Sequence, residues 1–174
     1  MNHVLRYHYH RSDGFTLIEI LVAVLVLTIG LLGLAGLQVS GLRFNQSAYL
    51  RTQATLLAYE MADRMRANPV GFINGDYNNP APANIAGCSD GSGCAPAEMA
   101  QNDMQEWRAK IARLLPGNAT GVVCQDSGVF DDGTPPPGGN PACAGGTTYA
   151  IKVWWDDQRT GDPNQYQRFV VTQR

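Results

Sequence analysis

The hydrophobic pattern begins with an unbroken apolar segment near the N-terminus. Residues 15–37 contain a single ionisable side chain, Glu19. A helix of that length would extend about 34 Å, which is enough to cross the hydrocarbon core of a bilayer. The pattern therefore predicts a transmembrane helix that starts at about Phe15. A secretory signal peptide cut near Gly33-Leu34-Ala35 is an alternative, although its apolar core would be longer than usual.

Beyond Leu37 the chain becomes more polar but keeps helical spacing. One set of apolar residues falls within about 120° of a helical wheel and predicts a stripe that covers a core: Leu50, Ala54, Leu57, Ala58, Met61, Ala62 and Met65. A second row is either a contact surface or the edge of that stripe: Leu42, Tyr49 and Leu56. Asn68-Pro69 predicts the helix end, because proline disfavours helical conformation in the preceding residue. One helix of about 80 Å is expected from Phe15 to Ala67.

The C-terminal part alternates loop signals with one further helix and three strands. Residues 70–95 predict a loop by composition. Residues 96–117 predict an amphipathic helix with a buried stripe of Ala100, Met104, Trp107, Ile111 and Leu114. Strands are predicted at residues 120–125, 148–156 and 167–173. The elements together predict an α+β fold in which a long N-terminal helix packs on a small antiparallel sheet.

The middle strand has two chemically different faces. Alternation places Tyr149, Ile151, Val153 and Trp155 on the face that packs against the long helix. The opposite face carries Lys152, Trp154 and Asp156. Trp154 is there either partly exposed or covered by a loop.

Composition argues against several function classes. The net charge is −2 over 174 residues, so we expect no nucleic-acid partner. All three histidines, His3, His8 and His10, precede the apolar segment, which leaves no Ser-His or Cys-His nucleophile system beyond it. We therefore expect no enzyme, no cofactor and no metal site. Asp131-Asp132 and Asp156-Asp157 are possible calcium ligands, but adjacent aspartates are more typical of turns.

The four cysteines predict disulfides. Arg6 and Arg11 precede the apolar segment, which favours a cytoplasmic N-terminus and an exported remainder. In an oxidising compartment four cysteines permit three pairings. We favour Cys88 with Cys94, which closes a short loop, and Cys124 with Cys143, which ties down a segment rich in Pro and Gly. A zinc site is the rival interpretation, although the spacings lack the paired C-x2-C of common zinc modules.

Glu19 gives the apolar segment a specific chemistry. A carboxylate inside a bilayer costs about 2.5–3.5 kcal/mol, so such a residue usually has a function and a partner. A cut between Gly14 and Phe15 would create an α-amino group and place Glu19 in the first helical turn, where the helix dipole favours an anion. A plain transmembrane anchor with a tolerated glutamate is the simpler alternative.

The six residues from Gly14 to Glu19, read as GFTLIE, resemble the class III leader motif of the prepilin family, which comprises type IV pilins and type II secretion pseudopilins. The resemblance implies that a prepilin peptidase cleaves after Gly14, that Phe15 becomes the N-methylated first residue, and that Glu19 pairs with the amine of a neighbouring subunit. It also implies the lollipop shape of pilins, with four segments: a cleaved leader (1–14), a transmembrane and filament-core half-helix (15–37), an amphipathic half-helix (38–68) and a periplasmic globular domain (69–174).

Within that family, four further stretches look like those of minor pilins: TIGLLGLAGLQ, MADRMRANP, the C-x5-C that precedes PAEMAQNDMQEW, and VWWDD. The resemblance implies a subunit that primes pilus assembly at or near the tip and supports twitching motility and adhesion. Its partners would be the inner membrane, other minor pilins, the major pilin and a tip adhesin. A minor pseudopilin of type II secretion is the alternative. A membrane-anchored enzyme or binding module with a chance leader match is a third interpretation.

Overall fold

A computed structural model describes residues 14–90, 92–128, 130, 133–135 and 140–174. Two compact units can be distinguished, one ending at Phe44 and the other spanning Asn45–Arg174. The predicted leader, apart from Gly14, lies outside the described residues, and so does the pair Asp131-Asp132. The elements in chain order are α1 (Leu17–Ala67), α2 (Pro69–Asn74), α3 (Ala86–Ser89), α4 (Pro96–Leu114), β1 (Thr120–Asp126), β2 (Thr148–Trp155), a 3-10 turn (Pro163–Gln165) and β3 (Gln167–Gln173).

The helix α1 confirms the predicted long helix, although it begins at Leu17 rather than at Phe15. The predicted core stripe is confirmed in full, since the buried residues of α1 are Leu50, Ala54, Leu57, Ala58, Met61, Ala62 and Met65. The second row, Leu42, Tyr49 and Leu56, is exposed. This row is therefore not the edge of the core stripe.

The predicted helix end at Asn68-Pro69 is confirmed, but the prediction of a continuous loop after it is wrong. The chain enters α2 at Pro69 because the Asn68 side chain accepts a hydrogen bond from the Gly71 N–H at 3.2 Å and so caps a new helix. Proline is also favoured in a first helical turn. The sequence Asn-Pro thus ends one helix and begins another, and α3 follows later in the same segment.

The helix α4 confirms the predicted amphipathic helix with one error in its stripe. Ala100, Met104, Trp107 and Ile111 are buried, whereas Leu114 is exposed. Leu115 is buried instead. The reason is that the helix ends at Leu114. Leu115 has an extended backbone, so its side chain no longer follows the helical pattern.

The described part of the sheet has the strand order β1-β2-β3, and both pairings are antiparallel. Val123 lies opposite Ile151, and Val153 lies opposite Phe169. The predicted inner face of β2 is buried in the same core as α1 and α4. This arrangement confirms the pilin-like α+β fold.

The other face of β2 is buried too, so Trp154 is covered rather than exposed. Trp154, Lys152 and Asp156 are each at most 1% exposed. Lys152 Nζ donates to the carbonyl oxygens of Pro141 and Ala142, which brings the segment after residue 139 across this face. The central strand is therefore buried on both sides.

Candidate assembly site and its scaffold

The Gly14–Phe15 bond lies in a non-helical, exposed segment directly before α1. A Cβ added at Gly14 would meet no atom within 4 Å, and the Phe15 side chain is exposed. The geometry at Gly14 and Phe15 therefore suits cleavage.

Glu19 lies in the first turn of α1. Its backbone N–H donates to the Thr16 carbonyl oxygen at 3.1 Å and lies 3.4 Å from Thr16 Oγ1. Thr16 therefore caps the helix start, where the unpaired N–H groups favour a negative charge. Among the described residues, no cationic side chain is within ion-pair distance of the Glu19 carboxylate. The carboxylate is thus available to a cation from outside.

The first half of α1 presents apolar side chains in every direction. Every residue from Gly14 to Gln46 is exposed. In the described part of the chain, α1 is the one helix that is long and apolar enough to cross a membrane. An apolar surface of this size is not stable in water and needs lipid or other protein to cover it.

Two disulfides stabilise the loops of the second unit. They join Cys88 to Cys94, with Cα atoms 5.1 Å apart, and Cys124 to Cys143, with Cα atoms 5.9 Å apart. These are the pairs that the sequence analysis favours. All four cysteines lie among the described residues and none is free, which leaves none for the rival zinc site.

A charged cluster that sequence reasoning missed joins α1 to α4. Arg64 Nη1 donates to Asp103 Oδ1 and to Glu106 Oε2, both at 2.9 Å, and Arg64 Nη2 donates to Glu60 at 3.2 Å. The hydrogen bond from Arg64 lowers the pKa of Glu106 against the opposing effect of burial. Burial and the bond to Asp103 raise the pKa of the Tyr77 phenol. In the sequence, only the four-residue spacing of Glu60 and Arg64 on one helix indicated this charged cluster.

A second missed pair lies on the covered face of the sheet. Lys152 Nζ donates to Asp126 Oδ2 at 2.9 Å, and neither side chain is more than 1% exposed. Burial alone would raise the pKa of Asp126. The hydrogen bonds from Lys152, Gly128 and Ala144 and the charge of Lys152 outweigh it, so the pKa lies below its ordinary value. This pair fixes the segment that carries Cys143.

No cluster of three or more metal-ligating side chains exists among the described residues. Asp156 is buried and accepts a hydrogen bond from the Gly161 N–H at 2.7 Å. The pair Asp156-Asp157 therefore ends β2 in a turn, as adjacent aspartates commonly do.

Comparison with known families gives one match. Residues 9–35 match the family described as the prokaryotic N-terminal methylation motif. The matched segment contains Gly14, Phe15 and Glu19 as well as the start of the apolar helix. No curated protein and no solved structure matches the chain significantly.

Proposed function

We propose that this type IV prepilin-like protein is a minor pilin that primes type IV pilus assembly and lies at or near the pilus tip. The observation that supports the proposal is the matched motif at Gly14, Phe15 and Glu19. It lies at the start of an apolar helix that the residues described by the structure leave exposed as far as Gln46. The motif implies processing by prepilin peptidase and assembly with pilin partners in the membrane.

The first step would be hydrolysis between Gly14 and Phe15. It removes residues 1–14 and leaves a free α-amino group on Phe15, which is then N-methylated. Methylation keeps the amine basic and therefore cationic. The exposed, non-helical geometry at this bond supports the step.

Glu19 would then direct assembly. Its carboxylate is expensive in lipid, and among the described residues it has no ion-pair partner. The methylated amine of a neighbouring subunit would provide that partner as the subunit leaves the bilayer. A misplaced neighbour would leave the Glu19 carboxylate unpaired in lipid. The energetic cost of that unpaired charge would thus favour the correctly placed neighbour.

Residues 15–37 would span the inner membrane and later enter the filament core. Residues 38–68 would form the amphipathic half-helix. Residues 69–174 would form the globular domain in the periplasm. The two disulfides support an oxidising compartment for the domain. The filament would then carry the domain to the cell surface.

The minor-pilin role is supported by sequence similarity beyond the leader. The stretches TIGLLGLAGLQ, MADRMRANP, PAEMAQNDMQEW and VWWDD look like those of the minor pilin PilV, the type IV pilus modification protein. Such a subunit would act with other minor pilins, the major pilin and a tip adhesin. It would support twitching motility and adhesion.

The alternative is a minor pseudopilin of a type II secretion system, because the leader motif, the long helix and the small sheet fit both assemblies. The insert closed by Cys88 and Cys94 favours the pilin, since minor pseudopilin domains of the I type tend to lack it. A deletion strain separates the two. Loss of surface pili and twitching supports the minor pilin, whereas loss of secreted proteins with intact pili supports the pseudopilin.

The direct test of the proposal is the N-terminal residue and the mass of the mature protein. We expect a chain that begins at methylated Phe15 in cells with prepilin peptidase and an uncut chain in cells without it. A mature protein that still carries His3, His8 and His10 would disprove the proposal.

A further inference from the structure

The strand β3 differs from the other two strands in burial. Most residues of β1 and β2 are buried, whereas no residue of β3 is fully buried. Phe169 and Val171 point into the core but are covered only in part. The core therefore stays incomplete along this edge.

The outer edge of β1 is closed by hydrogen bonds from neighbouring segments. Arg108 Nε donates to the Gly121 carbonyl oxygen at 2.8 Å, and the Asn79 N–H donates to the Val123 carbonyl oxygen at 2.8 Å. The Gln125 N–H donates to Asn78 Oδ1 at 2.9 Å, and its carbonyl oxygen accepts from the Gly145 N–H at 3.0 Å. This edge has no room for another strand.

Among the residues that the structure describes, none pairs with the outer edge of β3. The backbone N–H and C=O groups of Gly121, Val123 and Gln125 point away from β2. The regular alternation of antiparallel strands therefore places the outward-facing backbone groups of β3 at Arg168, Val170 and Thr172. Within the described residues, the backbone N–H and C=O groups of these three residues have no hydrogen-bond partner.

The β3 edge lacks several of the usual protections against strand pairing. Its sequence, QRFVVTQ, contains no proline and no lysine, and the register with β2 runs without a bulge. An unprotected edge of this kind is where an extended segment from another protein adds to a sheet.

Positive charge lies at both ends of the open edge. Arg168 is the second residue of β3, and the exposed Arg174 directly follows the strand, six residues later. Arg66 Nη2 donates to Gln173 Oε1 at 2.9 Å near the C-terminal end, but Arg66 Nη1 also pairs with Asp63 Oδ1 at 2.7 Å, which offsets its charge. Arg168 also donates to the Gly133 carbonyl oxygen, which leaves its charge in place.

We propose that the outer edge of β3 binds an extended segment of a partner protein, with acidic residues at its two ends and apolar residues at alternate positions between them. The acidic residues would face Arg168 and Arg174, and the apolar residues would cover Phe169 and Val171. A second copy of this chain fits less well. Antiparallel pairing centred on Val170 would bring Arg168 diagonally next to Arg174 of the other copy, and such like charges repel. The inference does not depend on the proposed function.

The test uses the full chain in detergent micelles and labelled heptapeptides. The peptide DVTVTVD places its carboxylates opposite Arg174 and Arg168 in antiparallel register and its valines on the core face. Its matched control is KVTVTVK. We expect the acidic peptide to bind at least about tenfold more tightly by fluorescence anisotropy. It should also slow amide exchange at Val170 and Thr172.

N-methylation of the peptide's backbone amides tests whether the peptide pairs with the β3 edge and leaves the protein unchanged. The amides of the two threonines would face β3, so their N-methylation should weaken binding at least about tenfold. Methylation of the first two valines, whose amides face away, is the matched control and should weaken binding much less. In the chain, Val170→Pro should abolish binding because it removes an outward N–H, whereas Val170→Ala should retain it.

Equal binding of the acidic and basic peptides, equal effects of the two methylation patterns, or no binding of the acidic peptide would overturn the proposal. So would a dimer of the full chain that dissociates in Val170→Pro, because it would assign the edge to a second copy.

Discussion

The two halves of α1 carry apolar side chains for different surroundings. Every residue from Gly14 to Gln46 is exposed, whereas seven residues between Leu50 and Met65 are buried in the domain core. The first half is apolar on all sides, whereas the second half has one buried apolar stripe and only scattered exposed apolar residues such as Tyr49 and Leu56. One continuous helix thus combines a segment that the protein's own domain covers with an exposed apolar segment that needs lipid or other protein to cover it. Substitutions in the two halves should therefore have separable effects.

The largest expected effect on folding comes from Trp107→Ala. Trp107 is fully buried, and its Nε1 donates to the Leu57 carbonyl oxygen at 2.8 Å. The substitution leaves a cavity and should lower the free energy of unfolding by about 3–5 kcal/mol. The matched change Leu25→Ala lies in the exposed half and should alter domain stability by less than about 0.5 kcal/mol. Urea unfolding of the full chain in detergent, followed by near-UV circular dichroism, measures both. A similar loss in both variants would contradict the comparison.

A smaller loss is expected when the disulfides are removed. The Cys124→Ser/Cys143→Ser double variant opens a loop whose ends are 19 positions apart in the sequence. In the chain-entropy account its free energy of unfolding should fall by about 3 kcal/mol. The Cys88→Ser/Cys94→Ser double variant opens a loop whose ends are 6 positions apart, and its free energy of unfolding should fall by about 2 kcal/mol. Thermal unfolding measures the order of the two losses. The reverse order would mean that the longer segment is held mainly by contacts such as those of Lys152.

The acid dependence of domain stability should be weaker still, with a defined sign. Asp126 and Glu106 both have a lowered pKa in the folded protein. Their stabilising contribution is therefore complete above the unfolded-state pKa of about 4 and is lost as the pH falls through the folded-state pKa. The free energy of unfolding, measured between neutral pH and about pH 3, should decrease at the acidic end.

Glu106→Gln should flatten this acid dependence, because the amide cannot be protonated in the same range. Asp63→Asn, at an exposed carboxylate in a surface pair with Arg66, is the control and should leave the dependence unchanged. Identical acid dependence in Glu106→Gln and the unmodified chain would show that Glu106 does not contribute.

The smallest effect on folding should accompany loss of assembly. Glu19→Gln should alter domain stability by less than about 0.5 kcal/mol, since Glu19 lies in the exposed half of α1. In the proposed function it should nevertheless prevent incorporation into filaments, because the amide cannot pair with a neighbour's amine. Glu98→Gln, which also lies in the first turn of a helix, is the matched control and should be incorporated normally. Sheared filaments probed by immunoblot distinguish the variants.

The sequence alone determined the elements whose signal is local. Period-3.6 spacing identified the buried stripe of α1, and β-branched and aromatic runs identified all three strands to within a residue or two. The short motif at Gly14 to Glu19 was readable because its chemistry depends on spacing along the chain. These features need no knowledge of which segments meet.

Only the tertiary structure decided the features that depend on distant partners. The Arg64 cluster joins residues about 40 positions apart, and the Lys152–Asp126 pair is buried because a Pro- and Gly-rich segment covers the outer face of the sheet. Burial of Trp154 and the contrast between the closed edge of β1 and the open edge of β3 have the same origin. Sequence periodicity reports which residues share a face, but the energy of a buried charge or an unpaired strand edge depends on what lies opposite it.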